Sequence, residues 1–184
     1  MIPVEYVSVL LVFVFGFVGM ARKFPQELGA TVAYTAMLFA IALGGERLGS
    51  FAYALLYRGN PEAAPDLALV QWVVIMGFIG AWVVMVYAGQ TFSFSGKWPP
   101  NPITGLVFDL LIGLFNGWIV VWTAWQYTHR LGYPHQALGW FVPPLSSRAG
   151  SWVELAPLAL IPDGREPWVL GGFLAFLIFL RVLK

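Results

Sequence analysis

The sequence contains no cysteine, only two histidines, and few charges: 10 Lys and Arg against 9 Asp and Glu in 184 residues. Without cysteine there are no disulfides, no thiolate nucleophile, no Fe–S cluster and no Cys-based zinc site. Charged residues make up 10% of the chain, where a soluble domain carries about 25%. The formal charge is +1 and the basic residues are scattered. The basic footprint of a nucleic-acid binder is therefore missing, and nucleic acid is not an expected partner. No Gly-rich phosphate loop, nucleophile elbow or HExxH pattern occurs. The histidines, His129 and His135, have no neighbouring acidic or Cys partners in sequence, which makes each a weak ligand signal. No metal or cofactor of its own is expected.

What the chain has in quantity is apolar surface, with 59% hydrophobic and 17% aromatic residues. A soluble fold is about 45–50% apolar and could not hide this much. The fold class that follows is all-α: a polytopic transmembrane helical bundle of four to five spans with one or two interfacial helices, in a single membrane domain over residues 1–184. A bilayer core about 30 Å thick needs roughly 20 apolar residues per helix. Spans are expected at about 3–20, 28–44, 67–89 and 103–127, with a fifth at 167–183. The fifth has 14 uncharged residues, Pro167 to Leu180, and crosses only if Arg181 snorkels or the bilayer thins. The opening run has small residues around Met20 in the manner of a cleavage site, but Met1 to Glu5 carry no basic residue, so it reads as a retained first span.

Between spans, Leu48, Phe51, Ala52, Leu55 and Leu56 follow helical spacing and read as an interfacial helix, ending at Gly59-Asn60-Pro61. Asn101 and Pro102 suit an N-cap and first helical position. The connection from His129 to Pro167 is rich in Gly, Pro and Ser and holds one helix-like piece, Ser151 to Ile161, interrupted by Pro157. Charge gives little on orientation: five basic residues fall on each side of a five-span topology. Extra weight for Arg22 and Lys23 beside the first span favours their placement in the cytoplasm.

Asp109 is the one acidic residue inside an otherwise apolar span. Two readings compete: a proton or ion site, or a carboxylate in the first turns of its helix, favoured by the helix dipole and paired with a neighbour. The second is the stronger, because a single carboxylate without a second intramembrane acid or base makes a poor relay. Asp109, Gly113 and Gly117 recur every four residues and share a face on which the glycines permit close helix packing, with Asn116 beside it. Ala36, Ala40 and Gly44 form a comparable ladder in the second span, and Gly77 and Ala81 in the third. Trp98, Trp125, Trp140, Trp152 and Trp168 fall near span ends or in loops, as interfacial anchors do. Trp118, Trp122 and His129 are candidate ligand contacts on the fourth span, where Trp118, Trp122 and Trp125 share a face.

The first turn, Gly19-Met20-Ala21-Arg22-Lys23-Phe24-Pro25-Gln26-Glu27, resembles the Gly-x-x-Arg-Gly-x-x-x-Glu turn of the colicin V production (CvpA-like) family of small bacterial membrane proteins, with Lys23 where that family has Gly. The stretch Phe108 to Gly117 is similar to the family's acidic residue followed by two glycines, and Ser151 to Pro162 to its Ser-containing tail. The resemblance implies a multi-pass protein of the cytoplasmic (inner) membrane with four core spans and no enzymatic activity. It also marks Gly19, Arg22, Glu27, Asp109, Gly113 and Gly117 as the positions that matter. The resulting expectation is a non-enzymatic integral membrane scaffold or partner-binding protein, with Arg22 and Glu27 fixing the first hairpin and the lipid bilayer and other membrane subunits as partners. Rival readings are an accessory subunit of a larger respiratory or photosynthetic complex, and a small transporter using Asp109.

Overall fold

The computed structural model describes residues 2–58, 66–89, 101–139, 141–142 and 147–182. The chain is a multi-pass, all-helical membrane protein. Helix α1 covers Val4–Arg22, α2 Phe24–Leu56, α3 Leu67–Ala88 and α4 Pro102–Gly117. A π-helical turn, Trp118–Trp122, carries α4 into α5, Thr123–Arg130. Beyond a 3-10 segment at Pro134–Leu138 come α6, Ser147–Trp152, a further 3-10 turn at Val153–Leu155, and α7, Glu166–Val182. Four segments are long and apolar enough to cross a membrane: Val4–Arg22, Phe24–Gly45, Leu67–Ala88 and Pro102–Arg130. Glu166–Phe179 is a shorter apolar helix. The described β structure is one two-residue parallel pairing, Ile2–Pro3 with Phe141–Val142.

The helices are capped as their sequences dictate. Asn101 Oδ1 accepts the Ile103 N–H at 2.9 Å with Pro102 following, and Asp66 Oδ1 accepts the Ala68 N–H at 3.0 Å. Each such cap satisfies an amide that the helix cannot, worth about 1 kcal/mol. The expected stop at Gly59-Asn60-Pro61, Trp98 and Trp140 lie outside the described residues.

The segment 48–56 is helical, as its spacing predicts, but it continues the second span without a break. With no proline after Pro25 in its first turn, the charged pair Glu46-Arg47 does not end the helix, and 33 residues make a rod of about 50 Å. Gly49 rests against Gln71 at the start of α3, and the Gln71 amide donates to Ser50 Oγ at 3.1 Å, so α3 supports the extension. The expected helix at Ser151 to Ile161 is a second correction. Regular α-helix ends at Trp152, a 3-10 turn follows, and hydrogen-bonded turns carry the chain past Pro157.

Burial within the spans runs opposite to that of a soluble helix. On α1 the buried residues are Glu5, Ser8, Gly16 and Gly19, while Tyr6, Leu10, Phe13 and Phe17 are exposed. On α4 they are Asp109, Gly113, Asn116 and Gly117. Small and polar residues face protein and large apolar ones face outward, as expected when the surrounding solvent is lipid and helix association rests on close packing and hydrogen bonds. Helix α2 is the axis. Half of its spanning window is buried, against 22% for α1 and α3, and Ala30, Tyr34, Met37, Leu38 and Ile41 form its share of the core. It packs on α3, α7 and α4, while α1 packs chiefly on α4.

Candidate functional site

Helices α1 and α4 meet backbone to backbone. A Cβ placed on Gly19 would lie 2.5 Å from the Asp109 carbonyl oxygen and 2.7 Å from Gly113 Cα. One placed on Gly113 would lie 2.5 Å from the Phe15 carbonyl oxygen, and one on Gly117 would lie 2.7 Å from Phe15 Cβ. The partner of the Gly113 and Gly117 face is therefore α1. The second-span ladder Ala36, Ala40 and Gly44 is not part of this contact, and Gly44 and Gly77 have open space where a side chain would stand.

This close approach brings Asp109 to the joint between α1 and α2. The joint is one residue, Lys23, held at φ 76°, a conformation natural for glycine and strained for lysine. The amides of Gln26 and Glu27 bond the Lys23 carbonyl, both at 3.1 Å, and Pro25 has no N–H. The Phe24 N–H remains, and it donates to Asp109 Oδ1 at 2.6 Å. Asp109 thus caps α2 from another helix, placing its charge on the positive end of the α2 dipole. Lys23 Nζ stands 3.5 Å from Asp109 Oδ2, an exposed cation adding little.

One turn further into α2, Glu27 is wholly buried at the centre of a polar network. Arg22 Nε lies 3.1 Å from Oε1, and the Arg22 guanidinium sits 4.5 Å over the Tyr87 ring. The Asn116 amide donates to Oε2 at 2.8 Å and to the Glu27 carbonyl at 2.9 Å. Tyr87 donates to Oε2 at 3.4 Å, and Thr31 donates to Asn116 Oδ1 at 2.7 Å. Removing a carboxylate from water costs several kcal/mol, offset only by close partners; here those partners come from α1, α3 and α4. Gly19, Arg22, Glu27, Asp109, Gly113 and Gly117 are thus gathered in one place. Sequence reasoning left Asn116 beside the stripe and did not single out Tyr87 or Thr31. The visible signal for Asn116 was an amide one position before Gly117 on a helix with few other polar groups.

The candidate ligand contacts on the fourth span do not converge. Trp118 donates its indole N–H to the Leu155 carbonyl at 3.0 Å and Trp122 to the Trp152 carbonyl at 2.8 Å. Both thereby tie the span to the 152–155 segment. His129 is exposed and sits 3.0 Å from the Tyr133 hydroxyl through Nδ1. Trp125 is not an interfacial anchor. It is buried against Tyr133 and Val153, because the chain folds back over it after Arg130.

A second polar group lies at the opposite end of the bundle. His135 is buried, stacked on Trp72 at 5.6 Å and edge-on to Tyr133 at 5.9 Å, and burial pushes its pKa down. Glu5, buried on α1, adds its negative field to the burial that raises the Tyr133 phenol. Among the described residues no group of three or more His, Cys, Asp and Glu is placed to hold a metal ion. Comparison with protein-family models, with curated proteins and with solved structures gives no match.

Proposed function

We propose that this protein is a non-enzymatic scaffold of the cytoplasmic (inner) membrane, of the CvpA-like type, which holds other membrane subunits on its apolar outer faces. The observation that carries the reading is the use made of Asp109. The most conspicuous intramembrane carboxylate is committed to the Phe24 amide, where it fixes the angle between two helices. Glu27 is engaged in the same way by side chains from three other helices. Such charges lock a shape. Position 23 adds support to the resemblance, since its backbone takes the conformation that a glycine there would adopt without strain.

Asp109→Asn keeps an oxygen to accept from Phe24, so expression, thermal stability and complementation of a null strain should survive. Asp109→Leu removes the acceptor and should lower stability by about 1–3 kcal/mol. Loss of function in a normally abundant, normally stable Asp109→Asn protein would overturn the scaffold reading in favour of ion or proton transport.

A further inference from the structure

At the membrane surface opposite the first hairpin, two span ends and the start of the shorter apolar helix α7 meet around a cavity of about 260 Å³. Gly45 ends the apolar part of α2, Arg130 ends α5 and Glu166 begins α7. Arg47 and Arg130 both line this cavity, with Glu166 and Tyr127. Among the described residues neither arginine forms a salt bridge, with Glu166 or any other carboxylate. The lining therefore carries two cations and one anion at headgroup depth.

A second hollow of about 370 Å³ adjoins it between α2 and α7, lined by Phe39, Leu43, Pro167, Trp168, Gly171 and Gly172. Leu43 belongs to both hollows, and Glu166 and Pro167 are consecutive. Phe39 lies six residues before Gly45 and Gly171 five after Glu166, or about 8–9 Å deeper at the helical rise. Gly172 has no atom within 4 Å of where a Cβ would stand, so the hollow is open there. A charged mouth at the surface continuing into an apolar groove between α2 and α7 suits an amphiphile.

We propose that this is a binding site for an anionic glycerophospholipid, its phosphodiester between Arg47 and Arg130 and one acyl chain along the Phe39–Gly172 groove. The net single positive charge of the mouth matches a headgroup of charge −1. Guanidinium groups suit phosphate oxygens because their donors form a planar fork. The apolar groove supplies the rest of the affinity and distinguishes a lipid from a free anion.

The test is native mass spectrometry of the delipidated protein in mild detergent, with phosphatidylglycerol, phosphatidylcholine or inorganic phosphate added. One phosphatidylglycerol should be retained in preference to phosphatidylcholine, and Arg47→Gln and Arg130→Gln should each weaken retention about fivefold. Gly172→Leu, which fills the groove without meeting another atom at its Cβ, should abolish retention while the melting temperature of the lipid-free protein stays at the wild-type value. Equal retention of the two lipids, or retention unchanged in both arginine variants, would overturn the proposal. Displacement of the lipid by millimolar inorganic phosphate, or phosphate binding that survives Gly172→Leu, would assign the mouth to a free anion and overturn it as well.

Discussion

Replacing Gly113 with alanine tests the packing of α1 on α4 most directly. The added Cβ would stand 2.5 Å from the Phe15 carbonyl oxygen and 3.0 Å from the Cα atoms of both Gly16 and Gly19. Carbon atoms in contact prefer about 3.5–4.0 Å, so the two helices must separate by about 1 Å. No side chain can turn aside, because every clashing atom is backbone. Overpacking of this kind costs about 1–3 kcal/mol, and here it also draws Asp109 away from Phe24. Gly80→Ala on α3 is the matched control, with nothing within 4 Å of its Cβ position, and should be neutral or slightly stabilising through helix propensity. Melting in detergent, followed by intrinsic fluorescence, should place Gly113→Ala well below wild type and Gly80→Ala at or above it. Gly19→Ala combined with Gly113→Ala should cost less than the sum of the two, since the first separation accommodates the second methyl. Equal melting temperatures for Gly113→Ala and Gly80→Ala would refute the close α1–α4 approach.

Three further outcomes follow from the same geometry. Lys23→Gly removes the strain at φ 76° and loses only an exposed ion pair, so denaturation in mixed micelles should show a gain of about 1 kcal/mol; a loss would mean that the lysine side chain matters more than its backbone. Glu27→Leu takes the carboxylate from Arg22, leaves Asn116 only its contacts with the residue-27 carbonyl and Thr31, and should cost about 3–5 kcal/mol, while adding Arg22→Met should recover part of it; a double variant no better than Glu27→Leu would show that the pair is not coupled. Burial lowers the His135 pKa, so the unfolded chain binds a proton that the folded one resists, and stability falls as pH drops through the ordinary histidine range near 6.5. Protection of the amides of residues 131–139 against hydrogen exchange, taken relative to the intrinsic rate at each pH, should fall between pH 8 and pH 5, and His135→Phe should flatten that dependence even with Glu5, His129, Tyr133 and Trp72 in place. A pH dependence unchanged in His135→Phe would show that His135 does not set it.

Apolar run length made the spans legible, because only the number of apolar residues decides whether a helix can cross a bilayer. The pairing of Arg22 with Glu27 was also readable, since two opposite charges five residues apart flank a turn. The depth of Glu27 was not. A charge near a predicted span end reads as interfacial, and its burial depends on Asn116 and Tyr87, which arrive from distant helices. Nor does periodicity reveal the π turn at Trp118–Trp122, because one additional residue per turn leaves an apolar run apolar. The Glu46-Arg47 pair misled in the other direction: charges mark where a helix leaves lipid, not where it stops. The indoles of Trp118 and Trp122 offered rings to a ligand in sequence, but their N–H groups are taken by a connection whose path no local pattern encodes.

The lysine joint has a consequence for how the chain is made. One residue between two spans leaves nothing to translocate separately, so α1 and α2 enter the bilayer as a unit. The bonds that settle them come late in synthesis: Phe24 waits for a residue 85 positions downstream and Glu27 for one 89 positions downstream. Until the fourth span emerges, the nascent hairpin lacks both of these partners. The polar joint of the hairpin is therefore complete only once α4, which carries both Asp109 and Asn116, is in place.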